Sequence, residues 1–215
     1  MYTPAEAAMY ARVSTQLMSR WIHGSASGGA AVRAQVADDQ ERTVTFLDLM
    51  QAMAIRAIRS QGDATLQAIR EAVDAAAAHG VTYPFARRHT TYILGKTILI
   101  EVPGTGLQEA SGKKRGQLAM KKIVEVYLKD VGFDAEGLAA DYTAFEENEI
   151  KIIMQPGYKF GEPVVKPSGH TAWTLWEAVH SEGGVAEAAK AYHVSEAEVL
   201  VAYKYVDSIR PATAA

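Results

Sequence analysis

Apolar and polar positions alternate along this chain with two different periods, and the changes of period mark its elements. Thr3-Pro4 opens a helical stretch with a cap followed by proline at a position where its missing N–H costs nothing. The spacing predicts a first helix from Pro4 to about Ala11 and a second from about Thr15 to Ile22. In the second, Met18 and Ile22 lie one turn apart with Leu17 and Trp21 beside them. His23-Gly24-Ser25 ends it. The small-residue stretch Ser25–Ala31 leads into Val32–Val36, and Thr43-Val44-Thr45-Phe46 follows the charged tip Asp38-Asp39-Gln40-Glu41. Two β-prone runs around a polar tip predict a hairpin, or wing.

Leu47–Ser60 and Asp63–His79 are predicted helices, the latter started by Asp63 and stopped by Gly80, with Leu66, Ile69, Val73 and Ala76 on one face. Residues 91–102 read as strands around Gly95-Lys96, Pro103–Gly116 as a soft linker, and Gln117–Val131 as an amphipathic helix. Leu138–Phe145 and Ile150–Met154 are strand candidates joined by the acidic turn Glu146-Glu147-Asn148-Glu149. A helix from Thr171 to about Ser181, a break at Gly183-Gly184, a short helix, and a final helix from Ser195 to about Ser208 close the chain.

Across this pattern one phrase occurs twice: Ala-Glu-Ala-Ala-x-x-x-x-Val-Ser, at Ala5–Ser14 and Ala186–Ser195. Each copy reads as a helix, a tight turn, and a serine that caps a second helix, which is a helix-turn-helix in one dimension. After Ser14 the exposed positions are Thr15, Gln16, Ser19, Arg20 and His23; after Ser195 they are Glu196, Ala197, Glu198 and Lys204. The first set can face a polyanion, and the second would be repelled by one.

Composition narrows the rest. The net charge of −3 gives no global sign of a nucleic-acid binder, so any DNA contact must be a local patch. The first sixty residues carry six arginines against five acids and are mildly basic. There is no cysteine, which excludes disulfides and thiolate metal sites and suits a reducing cytoplasm. No apolar run approaches the roughly 20 residues a membrane crossing needs, and the N-terminus lacks a basic-then-apolar signal pattern. No membrane partner, cofactor or metal is therefore expected. The six histidines form no His-x-x-x-His or His-Glu-x-x-His pair, and no nucleophile–base pair is legible, so the chain does not read as an enzyme.

In the first recognition helix Gln16 and Arg20 stand four apart on one face. Arginine can donate two bonds to guanine and glutamine two to adenine in the major groove, while Thr15 at the helix N-terminus suits a phosphate. The ordinary alternative is a solvated helix face. Ser14 and Arg12 lie in the turn, and Arg33 and Arg42 lie where a wing could touch backbone or minor groove. In the second copy Leu200, Val201, Tyr203 and Tyr205 supply more apolar surface than one packing face requires. Either they contact another protein, or they complete a core with Trp173 and Trp176.

Tyr2-Thr3-Pro4-Ala5-Glu6-Ala7-Ala8, Val13-Ser14 and Arg20-Trp21 resemble the DNA-binding head of MerR-type winged-helix regulators. With Val44-Thr45-Phe46-Leu47-Asp48-Leu49, Arg115-Gly116-Gln117-Leu118 and Phe160-Gly161-Glu162-Pro163-Val164, the chain resembles the VapB-type antitoxin family. That family has a MerR-like head and a small C-terminal helical domain. The resemblance covers nearly the whole chain, with its motifs in the expected order. It implies a protein that binds and silences a PIN-like ribonuclease toxin and binds its own operator DNA. Where that family has a Gly-Thr loop, this chain reads Lys166-Pro167-Ser168-Gly169-His170-Thr171, a partial departure.

The expected fold is α+β and mainly α. A winged helix-turn-helix is expected over residues 1–82, an α/β middle segment for dimer or toxin contact over 83–158, and a three-helix domain over 159–210. A homodimer is expected. Lys113, Lys114 and Arg115, together with Leu200, Val201 and Tyr205, are the expected toxin or dimer contacts; the basic triplet is otherwise an ordinary solvated loop. Two other readings stand beside this one: an interaction adaptor that binds no DNA, and a MerR-type effector sensor with Tyr83, Phe85, Tyr92 and Tyr127 around a small molecule.

Overall fold

Thr3 and Glu6 close the start of the first helix, α1 (Pro4–Tyr10), in a reciprocal capping box. Thr3 Oγ1 accepts from the Glu6 N–H, and the Glu6 carboxylate accepts from the Thr3 N–H at 2.7 Å. The computed structural model describes residues 1–24, 29–32, 43–60, 64–88, 91–94, 97–102, 106–109 and 129–210. These residues form an α+β fold with seven α-helices and two antiparallel sheets, divided between two compact units.

The first unit comprises Met1–Lys129 and Phe133–Ala139. α2 (Thr15–His23) is capped by Ser14 and packs on α1 through Ala7, Ala8, Met18, Trp21 and Ile22, all buried. α3 (Phe46–Ser60) contributes Leu49, Met50, Ile55 and Ile58 to the core. α4 (Leu66–Ala78) turns Ile69, Val73 and Ala76 inward as its periodicity predicts, with Ala72 buried beside them and Leu66 half-buried, and packs against β2. β1 (Thr91–Leu94), β2 (Thr97–Val102) and β3 (Gly106–Glu109) pair in that order. Gln51, buried on α3, accepts the Phe85 N–H at 3.0 Å and ties the Tyr83–Ala86 turn to the helix. Phe133–Ala139 joins this unit because the Arg88 N–H donates to the Gly137 carbonyl and the Ala139 N–H to that of Ala86.

Several expectations change here. Phe46 is the first helical residue, not the end of a strand, because Thr45 and Asp48 form a capping box that draws it into α3. Val44 pairs with Tyr2 in an isolated bridge. The rest of the expected hairpin, residues 33–42, lies outside the described residues. α4 is capped by Thr65, not started by Asp63. β3 occupies part of the expected linker, since its register with β2 (Val102↔Gly106 to Leu99↔Glu109) satisfies its backbone. The helix expected over Gln117–Val131 falls mostly outside the described residues, and Val131 itself is in a strand.

Asp48 is fully buried, with Oδ2 accepting from the Thr45 N–H at 3.0 Å and the Thr45 hydroxyl at 2.7 Å. Burial raises its pKa above the ordinary 3.8 despite those bonds. The neighbouring Tyr83 hydroxyl is pushed up to about 12 by burial and by the Asp48 charge. A raised folded-state pKa means that the folded chain holds this proton longer than the unfolded one. Stability therefore falls as pH rises from 3.8 through the raised value. Asp48→Asn should flatten that slope in urea titrations at a series of acid pH values; an unaltered slope would place the carboxylate in water.

The second unit comprises Asp130–Gly132 and Ala140–Ala215. β4 (Val131–Phe133), β5 (Ala139–Glu147), β6 (Ile150–Met154) and β7 (Val164–Lys166) form a sheet in that order. Asn148 and Glu149, both at positive φ, make the two-residue turn between β5 and β6, as a hairpin of this length requires. α5 (Ala172–Ser181) and α6 (Val185–Tyr192) pack against α7 (Glu196–Ile209), which also lies on β6 and β7.

Candidate nucleic-acid interface

The repeated phrase folds the same way in both units. In the first, the Val13 N–H donates to the Ala8 carbonyl at 2.9 Å; in the second, the Val194 N–H donates to that of Ala189 at 3.0 Å. Each turn pivots on one left-handed residue, Arg12 (φ 53) and His193 (φ 54). This is the Schellman arrangement, which satisfies the last carbonyls of one helix while reversing the chain. Ser14 then caps α2 by accepting the Leu17 N–H, and Ser195 caps α7 by accepting that of Glu198. The alanine pairs Ala7-Ala8 and Ala188-Ala189 are buried at the helix contacts.

What each frame presents differs. On α2, Ser14, Thr15, Gln16, Arg20 and His23 are exposed, Ser19 is half-buried, and Arg12 is exposed in the turn. Met18, Trp21 and Ile22 point inward, so the polar set is one continuous outer face. No acidic residue occurs between Glu6 and Asp38, and that interval carries Arg12, Arg20 and Arg33. The α2 N-terminus begins beside Ser14 and Thr15, where the helix dipole favours a phosphate oxygen. Arg33 and Arg42 lie outside the described residues.

On α7 the matching positions Glu196, Ala197, Leu200 and Lys204 are exposed, but the one that matches Arg20 is covered. Val201, which takes the place of Arg20, is 2% exposed and Tyr205 is 3% exposed; Tyr205 packs its ring 6.2 Å from that of Phe145 on β5. Lys204 pairs with Glu147 on the same strand. Val201 and Tyr205, expected as partner contacts, are thus part of this unit's own interior, and of that trio only Leu200, 42% exposed, faces outward. Glu198 does not face outward either. Its carboxylate accepts from the Ser195 N–H and hydroxyl and, through Oε1, from the Ser168 N–H at 3.1 Å. The Ser-x-x-Glu spacing signals the capping half of that arrangement, whereas nothing in the sequence signals the reach to Ser168.

Trp173 and Trp176 pack edge to face, their centroids 6.0 Å apart, and Arg210 lies over Trp176 at 4.2 Å. Lys113, Lys114 and Arg115 lie outside the described residues. Tyr83 and Phe85 are buried in the first unit. Tyr127 lies outside the described residues, as does the side chain of Tyr92. Among the described residues no helix is long and apolar enough to cross a membrane.

No family model and no curated protein matches this chain. The crystal structure of Rv2018 from Mycobacterium tuberculosis is similar to it, with a TM-score of 0.64 over 94% of this chain and 96% of that one, at 20% sequence identity. At that identity the likeness is one of fold, and it runs along nearly the whole length.

Proposed function

We propose that this chain is a duplex-DNA-binding regulator of the antitoxin type, in which α2 enters the major groove and reads an operator. The observation that carries this reading is the outer face of α2, where Thr15, Gln16, Ser19, Arg20 and His23 are aligned in a stretch free of acids. Thr15 and the helix N-terminus take a phosphate, Gln16 and Arg20 take base edges, and Arg12 takes the backbone beside the turn. A wing over residues 33–42 would bring Arg33 and Arg42 to the flanking groove. The homodimer and the PIN-like ribonuclease partner rest on the resemblance of the sequence motifs to VapB-type antitoxins.

Arg20→Ala should weaken binding to a footprinted promoter fragment by about 1–3 kcal/mol and relax base preference at one position. Arg12→Ala should weaken all sequences alike. Fluorescence anisotropy with matched and scrambled duplexes checks both, and an Arg20→Ala chain that binds as tightly as the parent refutes the assignment. An adaptor that binds no DNA is the rival reading, favoured by the exposed apolar side chains of Leu200 and Phe160. Salt separates the two: phosphate contacts make affinity fall steeply with ionic strength, whereas an apolar interface barely responds.

A further inference from the structure

Between β6 and β7 the backbone adopts a costly conformation to display an apolar side chain. The Tyr158 N–H closes a turn on the Gln155 carbonyl at 3.0 Å, and the next three residues, Lys159, Phe160 and Gly161, have φ of 46, 57 and 85. Glycine tolerates that left-handed region; a bulky side chain is disfavoured there by contact between its Cβ and the backbone. Phe160 is nevertheless there, and it is 85% exposed, the most exposed large apolar side chain among the described residues. It incurs a backbone cost and gains no burial.

The base of this tip is braced. The Gly161 N–H donates to the Tyr158 carbonyl and that of Glu162 to Lys159, both at 3.0 Å, and Gly161 and Pro163 are buried. Lys166 Nζ lies 4.9 Å from the centre of the Tyr158 ring. The Tyr158 hydroxyl occupies the space that Gly169 leaves open, since a Cβ there would lie 2.9 Å from it. The backbone that carries Phe160 is therefore braced, so the ordering cost of the loop is met before any partner arrives.

Charge selects the partner. Residues 140–210 carry eleven acids against six lysines and arginines, yet the stretch 155–170 has Lys159 and Lys166 against the single acid Glu162. We propose that the Tyr158-Lys159-Phe160 tip is a protein-docking knob whose partner offers an apolar socket edged by carboxylates. Phe160 fills the socket, and Lys159 and Lys166 meet its rim. The acidic surroundings disfavour a nucleic acid, and one phenylalanine with two lysines is too small an anchor for a bilayer. This surface belongs to the second unit and does not depend on the α2 reading.

The test uses the full chain and Phe160→Gly. Because the position is left-handed, the glycine variant should melt at or above the parent temperature. Cyclic peptides selected from a random phage-displayed library on the parent chain should combine large apolar residues with Asp or Glu. The synthesised peptides should bind Phe160→Gly at least about tenfold more weakly, a loss of about 1.4 kcal/mol. Lys159→Glu should weaken them in the same direction. The proposal is overturned if Phe160→Gly melts lower, if no Phe160-dependent peptide emerges, or if the selected peptides lack acids. Phe160-dependent binding to single-stranded oligo(dT) or to phosphatidylserine vesicles overturns it as well.

Discussion

Trp21→Ala is expected to lower the stability of the first unit by about 3–5 kcal/mol, while Arg20→Ala, one residue earlier, leaves it within about 0.5 kcal/mol. Trp21 is 3% exposed and lies on the inner face of α2 with Met18 and Ile22, so truncation removes a large apolar surface and leaves a cavity that its neighbours can only partly close. Its carbonyl also accepts the N–H groups of Ala31 and Val32, at 2.8 and 2.7 Å. Both of those residues are buried, so the segment returning from α2 is anchored at the site of the missing indole. Guanidinium denaturation followed by circular dichroism measures the difference. A Trp21→Ala loss below about 1 kcal/mol would mean that the α1–α2 pair is not packed as described. The contrast bears on function, because adjacent residues then separate two ways of losing DNA binding. Trp21→Ala removes the support of the helix, and Arg20→Ala removes only what the helix presents.

What the sequence reveals of this molecule depends on how far apart the interacting residues lie. Caps join residues three apart, and so Thr3-Pro4, Ser14, Thr171 and Ser195 mark helix starts within a residue or two of where they occur, as Gly80 marks a stop. The same range explains Phe46: its β-propensity is real, but the Thr45–Asp48 box is closer and stronger. β3 is illegible because Gly106-Leu107-Gln108-Glu109 shows no alternation, and only pairing with β2 makes it a strand. At the site, the repeat discloses a common frame and the polar side chains of α2. It does not disclose that the position of α7 that matches Arg20 faces the interior of the second unit. Val201 and Tyr205 therefore look like surplus apolar surface in the sequence, although they are buried in the fold.

Glu198 makes the difference between the two frames measurable. Glu198→Ala should cost the second unit about 2–4 kcal/mol, because it removes the capping box of α7 and leaves the Ser168 and Ser195 N–H groups without their acceptor. Burial pushes the pKa of this carboxyl up, but the hydrogen bonds from Ser195 and Ser168 together outweigh it and hold the value below the ordinary 4.5. A depressed pKa supplies stability that is fully present above pH 4.5 and is lost as pH falls through the folded-state value. This is the opposite slope to that of Asp48 in the first unit, so the two variants should move the acid limb in opposite senses. Glu198→Gln, which keeps the shape and loses the charge, should flatten the loss of stability on acidification. An acid limb unchanged from the parent would show the carboxylate to be solvated and available to a partner. If the limb flattens, the α7 N-terminus is already occupied by the chain's own carboxylate, which holds Ser168 in place. A phosphate could then approach α7 only by displacing Glu198, whereas the cap of α2 is the uncharged Ser14.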